Sequence, residues 1–379
     1  MRIAILTLPL HTNYGGILQA YALQTVLKRM GHEVLLLEKE RDIHKSLIRQ
    51  GLSYGKYLIN RYLLQKKIIY QTPKRQNTER RIREQHTQQF IQNHINTYHI
   101  KSLEEVQIAN FDAVVVGSDQ VWRHKYFTGL YDSHIDNAFL HFCQDAHIKR
   151  IAYAASFGTD EWEYSERETK ECARLLQLFD RVSVREKSGM ELCESKLHRA
   201  DAQHVLDPTL LLDKEDYIAL TKQAKTKKSP GNLMCYILDN DEEKQGLIRR
   251  IAQERGLKPF YANSKVEDPN ASLSESIQPP VEEWLQAFVD AEFVITDSFH
   301  ACVFSIIFEK PFIVIGNYER GLSRFTSLLE MFGITHHLIY TANEYNSHSS
   351  YSLSKVTYEL YQQAKKQSLD FLTSALSSF

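Results

Sequence analysis

"RIAILTLPLHTNYGGILQAYALQTVLKRMGHEVLLLE", residues 2–38, reads in one pass as strand, turn, helix and strand. From Ile3 to Leu8 the residues are almost all apolar, the pattern of a strand covered on both faces of a parallel sheet. From Ile17 onward, Leu18, Tyr21, Ala22, Val26 and Met30 recur at helical spacing, and Gly31 stands where such a helix stops. EVLLLE is then the second strand, so the segment predicts a βαβ unit with a right-handed crossover. The apolar start carries one early charge, is too short to span a bilayer and runs into polar loop residues, which favours a first strand over a signal peptide.

The same alternation continues outward. DAVVVGS (112–118), RIAYAASFG (150–158), RVSVRE (181–186) and HVLDPTLLL (204–212) are further strand candidates separated mostly by helical stretches. The polar tract TKQAKTKKSPGN (221–232) reads as a linker, after which LMCYIL, PFYA, FVITD, PFIVIG and HLIY repeat the pattern. A chain of 379 residues suits two cores rather than one. The expected fold class is α/β, two Rossmann-like domains facing across a cleft: residues 1–220 and 233–351, with a C-terminal helix in 352–379 packing back on either. Ligands are expected at the carboxyl ends of the strands.

Composition narrows the function classes. The formal net charge of −1 gives no support to a nucleic-acid partner. Five widely spaced cysteines without a CxxC pair argue for a reduced, cytoplasmic protein with neither a disulfide framework nor a zinc cluster. No HExxH or acidic metal-binding cluster is evident, so no metal and no cofactor is assigned. Within a predicted helical insertion at about 41–110, residues 41–84 hold 12 Lys and Arg against 3 acids. This stretch is either a solvated basic surface or a contact for anionic lipid or a lipid-diphosphate substrate.

Loops after the strands of an open parallel sheet face the cleft, and several here carry polar knots. TNYGG (12–16) places Asn13, Gly15 and Gly16 either as a turn with a helix cap or as a close backbone approach to an anion. It is not GxGxxG, so a nicotinamide or flavin site is not indicated. GSDQVW (117–122) offers Ser118, Asp119, Gln120 and Trp122, with Asp119 either capping a helix or meeting a sugar hydroxyl. Arg185 ends a strand, where it either pairs with an acid of its own fold or clamps a carboxylate or phosphate. In TDSFHACVFSIIF, Asp297 or Ser298 caps a helix and His300 occupies its first turn, suited to an anionic ligand or a proton shuttle. Arg320 and Arg324 follow the next strand, one of them facing solvent.

In this order, NYGGILQAYALQ, VVGSDQVW, SFG, VSVRE, VLDPTLLL, TDSFHACVFSIIFEKPFIVI and ERGLSRFTSLLEMFGI resemble the polysaccharide pyruvyl transferase family over residues 13–334. The resemblance implies a glycosyltransferase-B-like pair of domains and transfer of the enolpyruvyl unit of phosphoenolpyruvate to a glycan, as a cyclic pyruvate ketal. It implies that Arg185 and His300 bind phosphoenolpyruvate and that Arg324 stands at a cationic position that is lysine in some relatives. Ala301 stands where glycine is common, and Arg123 where a polar amide is common. Ser298 joins the expected donor set, Asp119 joins His300 as catalytic, and Asn13, Gly15, Gly16, Ser118, Gln120 and Trp122 are assigned to the acceptor. The expected setting is cell-surface polysaccharide synthesis, with a glycan acceptor that is either free or lipid-linked and an enzyme that is cytoplasmic or at the inner membrane face. A nucleotide-sugar glycosyltransferase is the rival enzyme class, and a glycan-binding protein without catalysis the rival outside it.

Overall fold

The computed structural model describes residues 1–43, 47–63, 72–266, 268, 270–316 and 321–377. Two all-parallel sheets form its frame. The first contains β1 (Arg2–Leu6), β2 (Glu33–Lys39), β3 (Thr97–Ile100), β4 (Ala113–Val116), β5 (Lys149–Ala155), β6 (Arg181–Val184) and β7 (Gln203–His204), in the order β3-β2-β1-β4-β5-β6-β7. The second contains β8 (Leu233–Tyr236), β9 (Pro259–Tyr261), β10 (Phe293–Thr296), β11 (Phe312–Ile315) and β12 (Leu338–Ile339), in the order β12-β11-β10-β8-β9. Helices connect the strands, and the fold is two Rossmann-like halves.

The innermost strand segments are apolar and buried, among them the IAIL of β1, the AVVV of β4 and the FIVI of β11, as strands covered on both faces must be. Strand order reverses between β1 and β4 in the first sheet and between β8 and β10 in the second. Crevices open at such reversals, and here the two crevices share one cavity of about 1320 Å³. Its wall includes the loops after β1, β4, β8 and β10.

One apolar cluster runs through both halves. Tyr14, from helix Tyr14–Arg29, stacks on Trp284 at 5.2 Å and donates its hydroxyl to the Pro279 carbonyl at 2.8 Å. Helix Val281–Asp290 of the second half packs on helix Lys214–Gln223 of the first. The C-terminal helix, Lys355–Leu376, returns to the first half. Its Tyr361 donates to the Leu210 carbonyl at 2.8 Å, and its Ser368 hydroxyl accepts from the Leu206 amide at 3.0 Å.

Several local expectations are corrected. The strand expected over 204–212 pairs only through Gln203–His204, because Pro208, which has no amide hydrogen, starts a 3-10 turn over Pro208–Leu211. The tract 221–232 begins inside helix Lys214–Gln223. The stretch read as a helical insertion also contains the edge strand β3. Of its basic part, residues 44–46 and 64–71 lie outside the described residues. Within the rest, Arg41 pairs with Glu84, Arg80 and Arg81 both pair with Asp42, and Arg75 pairs with Glu79.

Candidate active site

β10 ends at Thr296 and a helix, Phe299–Ile307, begins almost at once. Asp297 does not cap it. Its carboxylate accepts from the amides of Leu238 (2.7 Å) and Asp239 (3.1 Å) and from the Lys244 ammonium (3.0 Å), tying the end of β10 to the loop after β8. Ser298 occupies the cap position without a side-chain cap bond, and its amide donates to Thr296 Oγ1 at 3.0 Å. Phe299 and His300, in the first turn, line the cavity.

His300 is only 7% exposed and is placed by the other half. A Cβ on Gly15 would stand 1.9 Å from His300 Nδ1, so the ring rests where only glycine leaves room. On its other side, Nε2 lies 3.6 Å from Asp207 Oδ2, beyond a direct hydrogen bond but within strong electrostatic reach.

Asp207 lies in the segment 204–212 expected as a strand, where it caps the 3-10 turn, and sequence alone does not mark it as a site residue. It is 1% exposed and accepts on both oxygens: the Thr209 amide (3.0 Å) and hydroxyl (2.7 Å) on Oδ1, Arg185 Nη1 (2.7 Å) and the Ser118 hydroxyl (3.3 Å) on Oδ2. Burial alone would raise this carboxyl, but His300 and Arg185 overcome it and hold it far below the usual carboxylate range. The available signal was an acid followed by proline inside an apolar run.

Arg185 pairs with Asp207 within the fold. Its Nη2 is also 3.5 Å from Asp119 Oδ1, and its side chain is 2% exposed. It stands behind the cavity wall rather than in it. Arg324 does line the cavity. Both guanidinium groups lie over the Phe299 ring, at 4.7 Å for Arg185 and 5.3 Å for Arg324. Burial, together with the Arg185 charge, lowers the Arg324 guanidinium to about 10. Gly321, at φ 81°, caps the helix Leu322–Met331 that carries Arg324, and a Cβ there would sit 2.1 Å from the Gly158 carbonyl of the first half. Arg320 lies outside the described residues.

The first half supplies the opposite wall. Asn13 caps helix Tyr14–Arg29, its side chain accepting from the Gly16 amide at 3.3 Å, and both residues line the cavity. Asp119 and Gln120 also face it. Asp119 caps no helix, since the next begins at His124. It sits instead in a left-handed turn at φ 57°. Gln120 Oε1 accepts from Arg123 Nη1 at 3.0 Å, and Arg123 Nε is 3.4 Å from Glu163.

Two acceptor assignments are corrected. Trp122 is fully buried, stacked on Phe139 at 4.9 Å and 7° and donating Nε1–H to the Ala138 carbonyl at 3.1 Å, which makes it a core residue. Ser118 is also fully buried and spends its hydroxyl on Asp207. The turn at Asp119 is what sends both inward. Glu186 is buried as well. Its Oε1 accepts from Ser156 Oγ (2.9 Å) and from the amides of Phe157 (2.8 Å) and Gly158 (3.2 Å), fixing the SFG turn.

Comparison with protein families matches residues 13–319 to the model for polysaccharide pyruvyl transferase. The chain belongs to the polysaccharide pyruvyl transferase family. No curated protein is a significant sequence match. Solved structures that it resembles include a putative UDP-N-acetylglucosamine 2-epimerase from Listeria monocytogenes (12% identity, TM-score 0.47, covering 100% of this chain and 91% of that one). UDP-GlcNAc 2-epimerase from Neisseria meningitidis bound to UDP-GlcNAc gives 11% identity and a TM-score of 0.43, with 97% and 100% covered. The wall teichoic acid polymerase TagF, H444N variant, gives 11% and 0.45, with 98% and 83% covered. Among the described residues, no group of three or more His, Cys, Asp or Glu is placed to hold a metal ion, and no helix is long and apolar enough to cross a membrane.

Proposed function

We propose that this family member transfers the enolpyruvyl unit of phosphoenolpyruvate to two hydroxyls of a glycan, giving a pyruvate ketal in cell-surface polysaccharide synthesis. The observation that carries the reading is the crowding of cations at one wall of the cavity. Arg324 and His300 line that wall with Arg185 behind it, and burial and Arg185 oppose the Arg324 charge more than Asp119 and Glu186 support it. A ligand bearing phosphate and carboxylate relieves that opposition, so the donor belongs here with Ser298 at the same helix start.

Chemistry then follows from placement. His300 protonates the methylene carbon of phosphoenolpyruvate, C2 becomes electrophilic, and an acceptor hydroxyl adds to it as Asp119 takes the hydroxyl proton. Phosphate leaves under the charge of Arg324, and a second hydroxyl adds to the resulting cationic C2 and closes the ketal, its proton returning to His300. Arg185 acts from behind the wall, through Asp119 and Asp207. Asn13, Gly16 and Gln120, across the cavity, suit the acceptor, while Gly15 serves by seating His300. A lipid-linked acceptor reached at the cytoplasmic membrane face fits the basic insertion, where Leu52, Ile59 and Tyr62 are exposed among Lys56 and Arg61.

The test is which label enters the product. Incubated with a polysaccharide repeat-unit acceptor, [14C]phosphoenolpyruvate should deliver carbon and release one phosphate per ketal. Label entering from a sugar nucleotide instead would overturn the reading in favour of a glycosyltransferase, and label from neither would favour a glycan-binding protein.

A further inference from the structure

The buried carboxylate that joins the two halves, Asp207, has a function of its own in this site. We infer that Asp207 is a positioning residue that aims the His300 imidazole, with Nε2–H directed inward at its carboxylate. The inference rests on the assignment of His300 as the proton donor.

Every neighbour of Asp207 is a donor. Thr209 gives an amide and a hydroxyl to Oδ1, while Arg185 and Ser118 give hydrogen bonds to Oδ2. No position around the group accommodates a protonated carboxyl or an amide N–H without setting donor against donor, so an acceptor-only, ionised side chain is required. His300 approaches the same Oδ2 at 3.6 Å, and a ring nitrogen facing an ionised oxygen carries hydrogen. The flanking groups hold the backbone still. Tyr153 donates to the Leu206 carbonyl (2.9 Å) and Tyr217 to the Thr209 carbonyl (2.8 Å), on either side of Asp207. Arg185, bonded to the same Oδ2, and Arg324, over the neighbouring Phe299 ring, are the cations near His300 and oppose a charge on it, while Asp119 at 3.5 Å and Glu186 next in sequence face Arg185. Asp207 comes from the first half and His300 from the second, so this contact also makes the proton donor depend on the seating of one half against the other.

The sign of the effect is fixed. A neighbouring negative charge in a dry site raises a histidine pKa by roughly one to three units, so removing it lowers the pKa. Activity that needs protonated His300 is lost as pH rises through that value, and its alkaline limb must therefore move to lower pH in Asp207→Asn. The first readout needs neither donor nor acceptor: ring-labelled histidine is titrated by NMR in the free protein, with His300→Gln assigning the signal. Asp207→Asn should lower the His300 pKa by one unit or more, and an unchanged titration would overturn the inference. If Asp207→Asn does not fold, Thr209→Val keeps the charge and removes one bond that aims it. Its His300 ring resonances should shift and Thr209→Ser should restore them, whereas unmoved resonances overturn the inference. Failure of the phosphoenolpyruvate reading looks different: the wild-type protein then turns over no donor, whatever the histidine titration shows.

Discussion

The segments after β4 and β10 begin alike in sequence and end differently. GSDQVW and TDSFHA both close a buried strand with a polar knot, and both lead into a helix. After β10 the helix starts at Phe299, so its first turn presents Phe299 and His300 to the cavity. After β4 the helix waits until His124, and the left-handed turn at Asp119 fills the interval. That turn leaves Asp119 and Gln120 in the cavity wall and buries Ser118 and Trp122. The distance from strand end to helix start thus decides which polar residues serve chemistry and which serve packing.

The largest effect expected from this contrast is at His300. His300→Gln should lower kcat by roughly 10²–10⁴-fold, the span of general acid catalysis, with the fold retained. A loss confined to KM for phosphoenolpyruvate would make the residue a phosphate binder, and normal values of both would make it a cap.

Trp122 should behave in the opposite way. Removing a buried, stacked indole costs about 3–5 kcal/mol, so Trp122→Ala should lower the urea midpoint strongly. The folded fraction should keep kcat within a few-fold of wild type, because the ring does not reach the cavity. A selective loss of acceptor affinity at unchanged stability would return Trp122 to the acceptor site.

Gly15 tests how far His300 depends on the opposite half. A Cβ only 1.9 Å from Nδ1 must displace the ring, and a displacement on the order of 1 Å can cost about 10²-fold in rate. Gly15→Ala should therefore lower kcat by about that factor while melting stays close to wild type. An unaffected kcat would mean that the ring position is not critical to turnover.

Much of this was legible in sequence because burial on both faces leaves a strong trace. The apolar strands other than 204–212, the helical spacing from Ile17 to Met30 and the stop at Gly31 reappear, and His300, Asp119 and Arg324 do reach one cavity. What escaped depends on contacts between distant residues. Asp207 acquires its meaning only when Arg185, Ser118 and His300 converge on it from three other segments. The contacts of Arg185 with Asp207 and Asp119 belong to the same convergence. Edge strand β3 is short, and its TYHI has only one fully buried position, so no run of apolar residues announced it.

The two serines give the smallest and most direct contrast. Ser118 follows β4 and Ser298 follows β10, and each ends a strand beside the site. Ser118 Oγ donates to a buried carboxylate at 3.3 Å, and a hydrogen bond to a charged group contributes about 1.5–3 kcal/mol, less at this length. Ser118→Ala should therefore lower stability by about 1 kcal/mol and leave KM for phosphoenolpyruvate nearly unchanged. Ser298 is partly exposed at the cavity and makes no side-chain cap bond, so Ser298→Ala should leave stability within about 0.5 kcal/mol of wild type. Its loss should appear as a KM raised by less than tenfold, the worth of one hydrogen bond to a ligand at about 0.5–1.5 kcal/mol. Equilibrium unfolding and initial rates on both variants decide the matter. If both serines act on stability, or both on KM, helix onset is not what separates the two segments.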